Sequence, residues 1–330
     1  MLLLGLDIGG TKCAVSLGLV EGDAISLLAK VKFPTEKNAP GAVMEAFLAA
    51  SEKVLYENGK TFSDLAAIGI SCGGPLDSKR GVILSPPNLP GWDEVEIVKF
   101  FEEKTGVKTF LQNDANACAV AEWKFGAGRG CSDMVFLTFG TGLGAGLIVG
   151  GRLHAGVSDM AGEIGHVRLA PDDGGFLPVG YGKRGSAEGF CSGGGLAQLG
   201  VQAVKEALAK GETPVLYTAV GGDLEKINAR VIADLADAGD DMCRGLYRTC
   251  GERLGETLSV LIDILNPEKI VLGGIFMRSE NLLRDAMQAV IEREALPFAH
   301  RCCKVVPAGL GETIGDYAAL SVAAAGKTER

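Results

Sequence analysis

The sequence predicts an α/β protein of two related lobes facing a cleft. Short apolar runs of strand character alternate with helical stretches. A glycine-punctuated pair of strands near the start returns, in the same style, after residue 134. The length of 330 residues also exceeds that of one small domain and makes two the expectation.

Residues 2–8, 12–19 and 24–33 read as a three-stranded meander, with turns at Gly9-Gly10 and Glu21-Gly22. A helix is expected over 41–58, then a buried strand from Ala66 that ends at Gly73-Gly74-Pro75. A hairpin around Val82-Ile83-Leu84 leads into Pro86–Trp92, too rich in proline to be helical. A helix over 94–104, a strand over 107–111 that runs to Asn113-Asp114, and a helix over 115–125 complete the first half. The second half opens with strands at 134–139 and 143–149, and 151–200 reads as loop-rich. Over 228–265 Cys243, Leu246, Tyr247, Cys250, Leu254, Leu258 and Leu261 recur at helical spacing as a core-facing stripe. Asn266-Pro267 stops that helix. A strand at 269–272 ends at Gly273-Gly274, a helix follows over 281–294, and a small-residue helix over 315–325 packs back on the first lobe.

Composition excludes several function classes. The net charge of −9 argues against a nucleic-acid partner, which requires a basic face. No apolar run approaches the roughly 18 residues of a membrane helix, and the N-terminal run lacks the basic flank of a signal peptide. Nine cysteines without C-x-x-C spacing suit reduced thiols in a cytoplasmic protein.

Four constellations carry chemistry. In Asp7-Ile8-Gly9-Gly10-Thr11-Lys12 a strand holds a carboxylate at its end. Two glycines then let the backbone approach a ligand, and a hydroxyl and an ammonium follow. The set suits terminal phosphates with Mg²⁺; an ordinary hairpin turn is the alternative. Thr138–Gly146 places Gly140, Gly142, Gly144 and Gly146 at alternate positions. That leaves one strand face bare, for a ligand on the backbone N–H groups or for close packing alone. No Gly-Lys-Ser/Thr follows, and no helix opens after it. Asn113-Asp114 sits where a strand meets a helix. There Asp114 can take a proton from a sugar hydroxyl that Asn113 orients, or can cap the helix. Glu163 and His166, flanked by glycines, suit a polyol, as does Glu188 in similar surroundings; a satisfied core histidine is the other reading of His166.

These motifs, together with Glu188-x-x-x-Ser192-Gly193, fall in the order and spacing of the ROK sugar kinases, and the resemblance spans nearly the whole chain. It implies a two-lobed ribonuclease-H-like fold of the actin/hexokinase type, with a nucleotide and sugar cleft. The lobes are expected at 1–113 plus about 314–330 and at 114–313. It implies ATP-dependent phosphorylation of a hexose or hexosamine, at O6, with Asp114 as base. Asp7, Gly9, Gly10, Thr11, Lys12, Gly140, Thr141, Gly142 and Gly144 inherit contacts to ATP phosphates, and Gly273 and Gly274 an adenosine-side turn. Gly73, Gly74, Asn88, Asn113, Glu163, His166 and Glu188 inherit sugar contacts. The implied partners are ATP with Mg²⁺ and a small sugar, with room for a homodimer.

The chain departs from the family in one loop. Val179, Tyr181 and Ser186 stand where zinc-binding thiolates are common, so no structural zinc is expected at His166. Phe176, Leu177, Val179 and Tyr181 are expected to form a satellite core instead. A non-catalytic sugar-sensing member of the family is the competing function. A repressor is disfavoured, because only six residues precede Asp7.

Overall fold

The computed structural model describes residues 1–22 and 24–328. Its contacts divide the chain into two compact units. One comprises Met1–Phe136, Gly146–Ala161 and the chain from Ala308 on; the other comprises Leu137–Ala145 and Gly162–Pro307.

The first unit is built on five strands. β1 (Leu2–Ile8), β2 (Lys12–Glu21) and β3 (Ala24–Pro34) pair antiparallel, as the meander predicts. The short β5 (Leu76–Asp77) and β6 (Val82–Ile83) form a separate hairpin. β4 (Ala67–Cys72) and β7 (Thr109–Asn113) join in parallel, giving the order β3-β2-β1-β4-β7. Even-numbered β1 residues, Leu4, Leu6 and Ile8, share a core with Val43 and Phe47 of α1 (Pro40–Glu57) and Ile97 and Phe101 of α2 (Ile97–Thr105). Odd-numbered ones face the opposite way, where Leu3 meets Leu320 and Ala323 of α11 (Ile314–Thr328). That helix also packs along α3 (Asp114–Phe125) through Ala318 and Val322 on Ala117. The sequence reading sets a lobe boundary ahead of Asp114; the contacts group α3 with the first unit, because α11 lies against it.

A second sheet contains β8 (Met134–Phe139), β9 (Leu143–Val149), β10 (Arg152–Leu153), β13 (Lys269–Leu272) and β14 (Lys304–Pro307). Its order, β10-β9-β8-β13-β14, repeats that of the first sheet position for position. The repeated glycine turn is therefore the local mark of a repeated sheet.

The second unit corrects the sequence reading in several places. The segment 228–265 is two helices, α7 (Ala229–Asp237) and α8 (Asp241–Leu265). Gly239, at φ +105°, breaks the path, and Asp240 recaps by accepting the Cys243 N–H. α9 (Ile275–Glu294) starts six residues earlier than expected and is kinked at Ser279. The loop-rich stretch holds α4 (Ala187–Phe190) and leads into α5 (Gly193–Ala209), whose three opening glycines conceal it. The expected satellite core does not form: Phe176, Val179 and Tyr181 are all exposed. Polar bonds hold this loop instead. Arg184 donates to the Gly175 carbonyl and the Asp172 carboxylate, and the Gln198 side chain bonds both backbone groups of Val179.

In the first unit α11 rests directly on backbone. A Cβ on Gly69 of β4 would lie 2.1 Å from the Ala319 carbonyl oxygen and 2.4 Å from the Ala323 nitrogen. Neither is a flexible group that can step aside. Gly69→Ala is therefore expected to lower unfolding stability by about 1–3 kcal/mol, the usual cost of overpacking, as measured by chemical denaturation.

Candidate functional site

The residues singled out in the sequence fall into two groups, one in each unit. In the first unit Asp7 is the penultimate residue of β1, and the turn to β2 is closed by the Gly9 N–H donating to the Lys12 carbonyl at 3.1 Å. A Cβ on Gly9 would sit 2.7 Å from that same oxygen, so the turn requires glycine. The Thr35 hydroxyl donates to the Gly9 carbonyl at 2.7 Å and braces the turn from β3. Thr11 and Lys12 remain exposed at its tip. The Asn88 side chain lies over Gly10, its Nδ2 3.1 Å from the Cβ position there, and both its amide atoms lie 3.7 Å from that of Gly73. Asn113 Nδ2 lies 3.2 Å from that of Gly74. The turn, both amides and the Gly73-Gly74 bend thus form one patch.

Asn113, not Asp114, caps α3. Its Oδ1 accepts from the Ala115 and Asn116 N–H groups at 2.9 and 3.4 Å. Asp114 is the first helical residue, and its Oδ1 accepts the Ala115 N–H at 2.8 Å. Solvent reaches the Asp114 side chain. The surrounding protein nonetheless raises its pKa by desolvation, against the lowering pull of backbone N–H groups.

Asp7 is perturbed as well. Burial, then the Asp114 and Asp316 carboxylates, push it up to about 7, with Lys30 and the Ser71 hydroxyl opposing. Asp316, buried in the first turn of α11, pairs with Lys30 and accepts the Ser16 hydroxyl at 3.2 Å. Lys30, Asp316 and Ser16 form a supporting layer that sequence reading missed. No local signal marks it, since Ser16 and Asp316 are 300 residues apart. Glu122 was missed too. Fully buried on α3, its carboxylate accepts the N–H groups of Ala127, Gly309 and Leu310 at 2.7–3.0 Å, tying the approach to α11 to the helix that begins at Asp114.

In the second unit the glycine loop turns on itself, the Gly140 N–H donating to the Gly142 carbonyl. Thr141 is exposed, and the space at the Gly140 Cβ position is open. Gly144 follows in β9. The Ala161–His166 segment lies on β9: Ala145 N–H donates to the Gly162 carbonyl at 2.9 Å. Cβ atoms on Gly162 and Gly165 would fall 2.0 Å from the Ala145 carbonyl oxygen and 2.2 Å from that of Leu143. This contact places exposed Glu163 and half-buried His166 beside the loop. The His166 ring stands edge-on to Tyr181 at 4.7 Å, and its carbonyl accepts from Lys183 Nζ at 2.6 Å. Ser186 is buried and caps α4. Glu188 Oε2 accepts the Leu143 N–H at 3.0 Å. Gly273 N–H donates to the Leu137 carbonyl, and Gly274, at φ +64°, presses on the Phe139 carbonyl just before α9.

A family model described as the ROK family matches residues 3–325. The chain belongs to the ROK family. It is 32% identical over 295 residues to a glucokinase of Halalkalibacterium halodurans, covering 89% of this chain and 86% of that one. Among solved structures it resembles a ROK family glucokinase from Streptomyces griseus in complex with glucose and AMPPNP, at 30% identity and a TM-score of 0.78, covering 98% of this chain and all of that one. A ROK hexokinase from Thermus thermophilus matches at 31% identity and the same TM-score over the full length of both. The fold class is accordingly that of the two-lobed actin/hexokinase-like ROK proteins.

The Asp7 environment yields a sign-definite expectation. Its folded pKa, about 7, lies above the ordinary 3.8, so the folded state holds a proton that the unfolded state has released. Stability is lost as pH rises through this window. In metal-free protein Asp7→Asn is expected to stabilise the fold by on the order of 2–4 kcal/mol at pH 8, and hardly at all at pH 4. Urea denaturation at the two pH values measures it.

Proposed function

We propose that this protein is an ATP-dependent sugar kinase that transfers the γ-phosphoryl group of ATP to a hexose or hexosamine hydroxyl, O6 being the expected one. The ATP-dependent kinase reading rests on family membership and on whole-length likeness to glucokinases. The observation that carries the mechanism is Asp114: Asn113 caps the helix, which leaves the Asp114 carboxylate, reached by solvent and raised in pKa, to act as a base.

Asp114 takes the proton of the sugar hydroxyl as its oxygen forms the bond to the γ-phosphorus and the bond to ADP breaks. Phosphoryl transfer is chiefly positioning and charge neutralisation, so one placed carboxylate suffices. Backbone N–H groups of the Gly9-Gly10 turn and of the Gly140–Gly144 loop bind phosphate oxygens, aided by Thr11 and Lys12. Gly273-Gly274 borders the adenosine. Glu163, His166, Glu188, Asn88, Asn113 and the Gly73-Gly74 bend hold sugar hydroxyls. The donor set at Asp7 fits Mg²⁺, because Asp7 and Asp114 repel and a cation would relieve that repulsion. When bound, Mg²⁺ neutralises phosphate charge. A screen over glucose, N-acetylhexosamines, mannose and fructose, with ATP as donor, tests the activity and selects the sugar.

Two substitutions test the roles. Asp114→Asn is expected to cut kcat by about 10²–10⁴-fold while calorimetric sugar binding persists. In wild type the acid limb of the rate profile should lie above the ordinary carboxylate range, since activity needs Asp114 ionised. Glu163→Gln is expected to raise the sugar KM by roughly 10–150-fold, the equivalent of losing about 1.5–3 kcal/mol of charge-assisted hydrogen bonding, with the ATP KM little changed. Steady-state kinetics in both substrates decide.

A further inference from the structure

Glu188 does more than a sugar contact requires. Its Oε2 accepts the Leu143 N–H, the first backbone donor of β9 after the Gly140–Gly142 turn. Among the described residues its Oε1 has no hydrogen-bond partner. The side chain has little freedom. A Cβ on Gly142 would lie 2.6 Å from Glu188 Oε2, one on Gly180 2.6 Å from Glu188 Cβ, and one on Gly165 3.3 Å from it. Glu188 is thus wedged among three glycines, one from the phosphate loop, one from the Glu163–His166 segment and one from the β11 strand (Val179–Gly180). Ser186 fixes the base of the wedge by accepting the Gly189 N–H at 3.2 Å.

We infer that Glu188 is a positioning residue that couples sugar binding to nucleotide binding: Oε1 takes a sugar hydroxyl while Oε2 sets the Leu143 N–H and, with it, the phosphate loop. A backbone N–H donating to a carboxylate forms a charge-assisted bond, stronger than a neutral one and fixed in direction. Sugar on Oε1 therefore removes the freedom the carboxylate retains and favours the orientation in which Oε2 orders the loop. Linkage makes the effect reciprocal: whatever factor sugar adds to nucleotide affinity, nucleotide adds to sugar affinity. Glu163, the sugar contact expected on the neighbouring segment, serves as the reference: its substitution should weaken sugar while the Leu143 N–H keeps its bond to Glu188. The inference rests on the kinase reading above.

Titration calorimetry with AMPPNP, and with the hexose selected by the substrate screen, separates the two. Each ligand is titrated alone and into protein saturated with the other. Wild type is expected to show a coupling factor of about 5-fold or more, within the usual range for linked sites. Glu188→Gln should bring that factor close to one, while Glu163→Gln weakens sugar but keeps it. Gly142→Ala, which crowds Oε2 and leaves Glu188 in place, should lose coupling as Glu188→Gln does, and it supplies the test if Glu188→Gln does not fold. A wild-type coupling factor of one, or an unchanged factor in the folded variants, overturns the inference and leaves the kinase reading standing. Absence of binding by either ligand to wild type overturns the kinase reading itself.

Discussion

Backbone lying directly on backbone is the constraint on which both units depend. In the first, α11 reaches β1 and β4 because Gly5 and Gly69, paired across the two strands, present no side chain to it. In the second, the Gly162–His166 segment lies on β9 because Gly162 and Gly165 present none either. Each contact sets chemistry as well as packing. The first brings Asp316 beside Asp7; the second brings the Glu163–His166 segment beside the Gly140–Gly142 turn. Many of the 48 glycines are therefore spacing devices, not hinges.

Electrostatics runs the other way and opposes folding. Asp7, Asp114 and Asp316 repel, with Lys30 as the partial counterweight. Burial of Asp7 adds to the cost of its charge. Such a cluster is an unfavourable thing to fold, and a cation beside it would relieve the repulsion. Glu122 shows the contrast: also a carboxylate and more deeply buried, it is satisfied by three backbone N–H groups and ties α3 to the approach to α11.

Much of this was legible in the sequence. The meander, β4, β7 and the glycine turn before β9 stand where apolar runs and glycines put them, because each is a local pattern. The pairing of Asn113 with Asp114 was also visible, but which one caps was not, since either residue type can. The break at Gly239 was masked by the strong apolar stripe on either side, and α5 by its opening glycines. The satellite core failed because apolar composition was read without partners; Arg184 and Gln198 held the loop by polar bonds that no periodicity announces. Lys30–Asp316 and Glu122 join segments far apart in the chain, and neither carries a local signature.

The position of α11 also bears on how the protein is made. Synthesis delivers β1, β2 and β4 early, yet the face bearing Leu3 and Ala67 is closed only by Leu320 and Ala323. During translation that sheet face lacks this cover until the segment from Ile314 on has left the ribosome. The second unit, made entirely from intervening segments, can complete itself first. The strands made first thus receive their cover from the segment made last of the first unit, and a nascent chain stopped before residue 314 would leave that apolar face uncovered.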